Sequence, residues 1–336
     1  MKSGKFIVIS LMILMLAFMA ACGSEGSASG EDTYTLQVPH VTSEEDPTHK
    51  AWVNFKEEVE EKSEGRMKVD IFSNGQLYSS ERAMVEAVQM GDIPIASVAT
   101  PAMAGFAESF MILDLPFLFN SREEAHAALD GELKDRLMDE LTEIDMVGFG
   151  IGELGFRHIL NNRQPITKPE DLEGIKIRVL ENQLFQDMFN ELGANASPLG
   201  FGEVYSALQQ GTFDALESTI GLTLSTQFYE VQDYLSLTSH IYSGDVIFAN
   251  KEYMDSLPDD LKTIVTEAAH NYVEFTRSLV HEEELESLEK LKELGMQVNE
   301  VTEEEKSVFR ERLQPIYDKY EDVIGKDLID LAQGSK

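Results

Sequence analysis

Met67-Lys68-Val69-Asp70-Ile71, followed by Glu81–Met90, Gly91 and the apolar run Ile93–Ala99, is the stretch on which the fold turns. Met67, Val69 and Ile71 alternate with Lys68 and Asp70, the period of a strand with one covered face. Residues 81–90 read as a helix stopped by Gly91, the residue that most easily takes a left-handed helix end. Ile93–Ala99 is then a further strand. Upstream, Tyr34–Val38 reads as a strand and His49–Lys62 as a helix with Trp52, Phe55 and Val59 on one face, ended by Gly65. Strand and helix thus alternate, which predicts an α/β fold with a mostly parallel sheet.

The same grammar resumes downstream. Val147–Leu160 is apolar and glycine-rich, Lys168-Pro169-Glu170-Asp171-Leu172 has the proline and acids of a short helix start, and Ile175, Ile177 and Val179 alternate with Lys176, Arg178 and Leu180. Leu184, Phe185, Met188, Phe189 and Leu192 recur at helical spacing and Gly193 closes that helix; Gly202–Gln210 is a further helix and Phe213–Leu216 a short strand. A long amphipathic element starts at Ser256 and Pro258 and breaks at Gly295, and Glu303–Tyr320 is one more helix.

At the N-terminus, Lys2 and Lys5 precede the apolar run Phe6–Met19 and the small residues before Cys22, the single cysteine. The run is too short to span a bilayer and reads as a secretory signal. A thiol placed there resembles a bacterial lipobox, with Met19 where leucine is usual, so residues 1–21 are expected to be a lipoprotein signal peptide and Cys22 the lipidated first residue. Residues 22–32 form a flexible tether spanning ~18 Å r.m.s.. Removing residues 1–21 leaves 315 of 336, enough for two domains, and loss of Lys2 and Lys5 takes the formal charge from −34 to −36. So acidic a surface excludes nucleic acid as a partner. An anion would have to be held by locally concentrated positive charge.

Most chemical motifs fail on context. Gly150-Ile151-Gly152-Glu153-Leu154-Gly155 has dinucleotide-turn spacing, but the following Phe156-Arg157-His158-Ile159-Leu160 reads as strand where a helix should open. No phosphate loop or nucleophile elbow occurs, and His281-Glu282-Glu283-Glu284-Leu285 lacks the second histidine of a zinc-protease helix. No metal, cofactor or catalytic set is therefore expected, and 61 acids make carboxylate pairs uninformative.

Arginine is scarce, at ten residues. Arg157 and Arg178 fall near the ends of two apolar strands, and alternation sets Arg178 on the face opposite Ile175, Ile177 and Val179. Open α/β sheets bind ligands at carboxyl-side strand ends. Two guanidiniums on adjacent strands there would suit one carboxylate, each charge-assisted bond being worth ~1.5 to 3 kcal/mol. Pairing with the chain's own acids is the alternative.

The motifs Gly155-Phe156-Arg157, Asn162-Arg163-Gln164-Pro165-Ile166, Asp171-Leu172-Glu173-Gly174-Ile175-Lys176-Ile177-Arg178-Val179, Leu192-Gly193-Ala194-Asn195, Phe201-Gly202-Glu203-Val204-Tyr205-Ser206-Ala207-Leu208-Gln209 and Phe228-Tyr229-Glu230-Val231-Gln232 occur in order. Upstream stand Gly75-Gln76-Leu77, Glu81-Arg82-Ala83-Met84 and Leu113-Asp114-Leu115-Pro116-Phe117-Leu118-Phe119. Together they resemble the dicarboxylate-binding type of solute-binding protein from the tripartite ATP-independent periplasmic (TRAP) transporters, over almost the whole mature chain.

The resemblance implies a two-lobed periplasmic-binding-protein-like α/β fold with a long helix spanning both lobes. Lobe I would comprise 33–154 plus about 244–283, and lobe II 155–243 plus about 284–336. It implies that Arg178 pairs with the ligand carboxylate, that Arg157 assists, and that Phe201 forms an aromatic wall. His40, Glu81, Thr100 and Asn182 would lie near the solute, although His40 also fits a strand end, and Thr100 and Asn182 fit helix caps. In Asp214-Ala215-Leu216-Glu217-Ser218-Thr219 the family commonly ends Gln-Glu-Asn-Pro, so Glu217 is kept and Ser218 replaces a ligand-binding asparagine. The implied function is extracytoplasmic capture of an organic acid, a C4-dicarboxylate or sugar acid, by a monomer at the membrane surface, with delivery to the small and large subunits of a sodium-coupled permease. A surface-anchored hydrolase and a ligand-presenting protein for a sensor kinase are the rival readings.

Overall fold

The computed structural model describes residues 33–334, so the expected signal peptide, tether and Cys22 lie outside the described residues. From Thr35 onward the chain packs as one unit. Strands β1 (Tyr34–Pro39), β2 (Met67–Phe72) and β3 (Ile95–Ala99) alternate with helices α1 (Pro47–Lys62) and α2 (Glu81–Met90), as their periodicity predicts. Asp46 caps α1 by accepting from Thr48 N, and Gly91 ends α2 at φ 78°. The single parallel sheet does not form. β1 pairs with β2 in a two-stranded sheet, whereas β3 lies antiparallel to β8 (Tyr234–Asn250) at one edge of a seven-stranded mixed sheet.

That sheet runs β3-β8-β4-β7-β5-β6, with β9 (Gln297–Glu300) also paired to β8. Its spine is β4 (Met146–Asn161) and β8, 16 and 17 residues long, antiparallel along their whole length. Register shifts at Gly148/Gly150, Glu153/Gly155 and Arg157/Ile159 bend the pair, since a bulge adds a residue to one strand and increases local twist. Gly150 and Gly155 take φ 152° and 102°, a region that side-chain-bearing residues rarely enter. A Cβ at Gly152 would collide with Thr276 Oγ1, so this glycine lets the long helix lie close on β4. The Gly-x-Gly-x-x-Gly spacing therefore serves a bent strand under a helix, with no dinucleotide turn.

Short helices α3 (Thr100–Met103), α4 (Arg122–Leu129) and α5 (Glu132–Glu143) precede β4. Beyond it, β5 (Lys176–Val179) is parallel to β6 (Asn195–Pro198) and β7 (Ala215–Thr219), and α6 (Gln183–Glu191), α7 (Val204–Gln209) and α8 (Ile220–Ser225) connect them. α9 (Lys251–Ser256) leads into α10 (Asp259–Glu293), 35 residues long and starting just after Pro258 as expected. The expected helix at 303–320 is two, α11 (Glu303–Arg312) and α12 (Gln314–Ile324), because Pro315 in the first turn of α12 lacks the N–H to continue the upstream ladder. α13 (Lys326–Ala332) ends the described chain. No helix among the described residues is long and apolar enough to cross a membrane.

Candidate functional site

The carboxyl ends of β5 and β7 open on a cavity of about 600 Å³, also lined from the β1–α1 loop, α1, α2, β3, β4, α8, β8 and α10. Ile177 and Val179 enter the apolar core while Arg178, between them, lines the cavity, as strand alternation requires. Arg178 is 4 % exposed. Its Nε and Nη2 both donate to the Leu199 carbonyl, at 2.9 and 2.6 Å. These N–H groups share one edge of the planar guanidinium, which leaves the Nη1/Nη2 edge for a second, bidentate partner. Its hydrogen bonds among the described residues reach a carbonyl and no carboxylate. Burial lowers its pKa to about 10, while the Glu217 charge raises it and the Arg157 charge lowers it.

Arg157 is differently engaged. Strand order places β7 between β4 and β5, so the two arginines flank a strand instead of occupying adjacent ones, a correction to the expected arrangement. Arg157 pairs in register with Thr219, and its Nε and Nη2 grip the two carboxylate oxygens of Glu217, with a further 3.0 Å bond to the Glu217 carbonyl. Nη1 reaches Ser243 Oγ at 3.4 Å. The guanidinium is 3 % exposed and Glu217 is fully buried. Burial pushes the Glu217 carboxyl up and Arg157 opposes that rise. Acid pairing thus describes Arg157, while Arg178 makes no hydrogen bond to a carboxylate and feels Glu217, Glu81 and Glu181 only through space.

Seven of the residues singled out from sequence meet there: His40, Glu81, Arg157, Arg178, Phe201, Glu217 and Ser218. The Ser218 hydroxyl is buried with no partner among the described residues. Glu81 accepts from Ala99 N at 2.9 Å, and burial raises its pKa. His40 is held by Thr42 Oγ1 and His49, both at 3.0 Å, and burial, then the neighbouring His49, lowers its pKa to about 4, so it is neutral at physiological pH. Phe201 stands edge-on to Phe228 with ring centres 6.2 Å apart. Thr100 and Asn182 do not line the cavity. Asn182 caps α6 through Leu184 N and Phe185 N, and its amide donates to Pro101 O and to buried Asp114. Sequence reasoning missed Asp46, Ser97 and Asp245. Only the placement of Asp245 in an otherwise apolar strand end, Val246-Ile247-Phe248-Ala249, was there to be noticed.

Among the described residues no group of acids, histidines and cysteines has metal-holding geometry. The profile of the bacterial extracellular solute-binding proteins, family 7, matches residues 38–322. The C4-dicarboxylate-binding protein DctB of Bacillus subtilis is 30% identical over 300 residues, 89% of this chain and 85% of that protein. The sugar acid binding protein DctPAm of Advenella mimigardefordensis, solved with galactonate, superposes with a TM-score of 0.87 at 34% identity, over 91% of this chain and 99% of that one. A TRAP periplasmic solute-binding protein of Sulfurospirillum deleyianum with bound succinate gives 0.86 at 31% identity, over 90% and 99%. All three are binding proteins, not enzymes.

Proposed function

We propose that this chain, which belongs to family 7 of the bacterial extracellular solute-binding proteins, captures an organic acid by clamping its carboxylate on Arg178 and hands it to a TRAP permease. Family membership makes it a solute-binding protein that works outside the cytoplasm, and its solved relatives hold organic acids. The observation that carries the clamp is the buried Arg178 guanidinium, bonded along one edge to a carbonyl and hydrogen-bonded to no carboxylate among the described residues. A ligand carboxylate there would gain two charge-assisted bonds in a site already dehydrated. The Arg157–Glu217 ion pair lines the same cavity.

Two lobes, divided where the bulged strands β4 and β8 cross the molecule, would close around the solute, because a bound ligand favours whichever state gives it contacts on both sides. The acidic surface is no obstacle, since charges beyond the Debye length of ~8 Å are screened while Arg178 acts in contact. Cys22 would carry the lipid that keeps the protein near the small and large subunits of a sodium-driven permease. Mass spectrometry of the mature N-terminus tests the anchor, and an unmodified chain retaining residues 1–21 would refute it. A thermal-shift screen against carboxylic acids tests the capture: a true ligand at 100 times its dissociation constant stabilises by ~2.7 kcal/mol. A screen in which no acid shifts the transition would refute the function.

A further inference from the structure

Besides the guanidiniums, the cavity is lined by a group of carboxyls, Asp46, Glu81 and Asp245, of which Glu81 lies within the field of Arg157 and Arg178. Asp245, 2 % exposed, accepts from the Tyr272 hydroxyl at 2.5 Å. That hydroxyl shares a 2.9 Å bond with Ser97 Oγ, which also receives the Trp52 indole N–H at 3.2 Å. Glu81 is fixed by Ala99 N, and Asp46 by Thr48 N at 3.0 Å and the Ser225 hydroxyl at 2.9 Å. Burial raises the pKa of all three acids, that of Asp245 to about 7. The remaining cations lining the cavity are engaged: Arg157 by Glu217, Lys50 by Glu283 at 2.8 Å and Lys290 by Glu293 at 3.2 Å.

A ligand seated on Arg178 therefore extends toward carboxyl groups, a serine and a neutral histidine. A second carboxylate placed among them would add negative charge to a cluster whose acids already resist ionising, with every lining cation but Arg178 paired, which is how a site rejects a wrong partner. Hydroxyl groups would suit the same cluster in either protonation state, since they donate to a carboxylate and accept from a carboxylic acid.

Resting on the reading of Arg178 as the carboxylate clamp, we propose that the cavity selects a monocarboxylate whose other carbons carry hydroxyl groups, and that Glu81 and Asp245 are the residues that turn away a C4-dicarboxylate. Removing either charge narrows the discrimination from both sides: the polyhydroxy acid loses a partner and the dicarboxylate loses a repulsion.

Titration calorimetry of the mature chain at neutral pH tests this with D-galactonate, D-glucuronate and D-erythronate against succinate and fumarate. The best polyhydroxy acid should bind at least ~100-fold more tightly than either dicarboxylate. Asp245→Asn and Glu81→Gln should each weaken it about tenfold while strengthening succinate. Two variants are used because Asp245 is also bonded to Tyr272, and Glu81→Gln alone decides the matter if the other does not fold. Tighter binding of succinate by the parent, equal losses for both acids in the folded variants, or a stronger response to γ-aminobutyrate, whose ammonium would seat on the same carboxyls, would each overturn the inference. Arg178→Ala separates it from the clamp: succinate preference in the parent with loss of all acids in that variant sinks the specificity alone, whereas a parent that binds no carboxylate sinks both.

Discussion

Replacing Arg178 by alanine should uncouple folding from binding. Burial lowers its pKa from the usual guanidinium range to about 10, a preference for the neutral form worth about 3 kcal/mol. The group is 4 % exposed, so little of this is screened by solvent. Because a cation with a depressed pKa stays charged below the folded value, the fold bears this cost throughout the physiological range and escapes it only as pH rises beyond about 10 toward the usual guanidinium range. Alanine removes the cost and leaves the Leu199 carbonyl without its two donors, a loss of about 1 to 2 kcal/mol. The unliganded variant should therefore melt within a few degrees of the parent, or above it. Ligand affinity should fall by ~2 to 5 kcal/mol, roughly 30- to 5000-fold, because the carboxylate loses a bidentate, dehydrated partner. Differential scanning fluorimetry with and without acid, beside titration calorimetry, reads both quantities. Near-parental affinity would refute the clamp, and a collapse of the unliganded melting temperature would show Arg178 to be a structural residue.

Glu217→Gln should destabilise by about 3 to 5 kcal/mol, since it leaves the Arg157 guanidinium buried without its counter-charge; urea unfolding checks this, and an unchanged midpoint would contradict the pairing. Asp245, raised by burial from 3.8 to about 7, binds its proton more tightly when folded, so it withdraws up to about 4 kcal/mol of stability as pH climbs across that interval. Measured against the parent, the Asp245→Asn protein should therefore gain stability steadily as pH rises from ~4 to ~7, and parallel profiles would rule that out. Asn182→Ala should cost about 2 to 4 kcal/mol through the lost cap on α6 and the orphaned carboxyl of Asp114, with affinity for the acid unchanged; a selective loss of affinity would return Asn182 to the ligand site.

Local elements were legible where one force dominates. Alternation announced β2 and β5, glycine stops announced the ends of α2 and α6, and the step from Pro258 announced α10. β8 was not legible, because Ser236, Thr238, His240, Ser243 and Asp245 break its apolar pattern. Those polar residues are buried, and several are satisfied by distant groups: Ser236 by Ile166 N and Asn299, Asp245 by Tyr272. The same holds for β3, whose strand character was plain and whose antiparallel partner, 150 residues downstream, was not. Pairing is a long-range choice that strand propensity does not encode.

For the site, the sequence alone determined which apolar strands carry arginine and which face of β5 Arg178 takes, since both follow from chain order and the period of a strand, although β4 runs four residues past Arg157. It also determined the family, through motifs spread over nearly the whole chain. Tertiary structure alone decided that Arg157 forms the ion pair with Glu217 while Arg178 bonds a carbonyl instead, because ion pairing among many acids depends on distances of a few ångströms between residues far apart in sequence. It likewise brought Asp46, Glu81 and Asp245 to one cavity from β1–α1, α2 and β8. Their burial beside each other, a property of the folded cavity and of no single segment, is what gives the ligand's far end a chemistry.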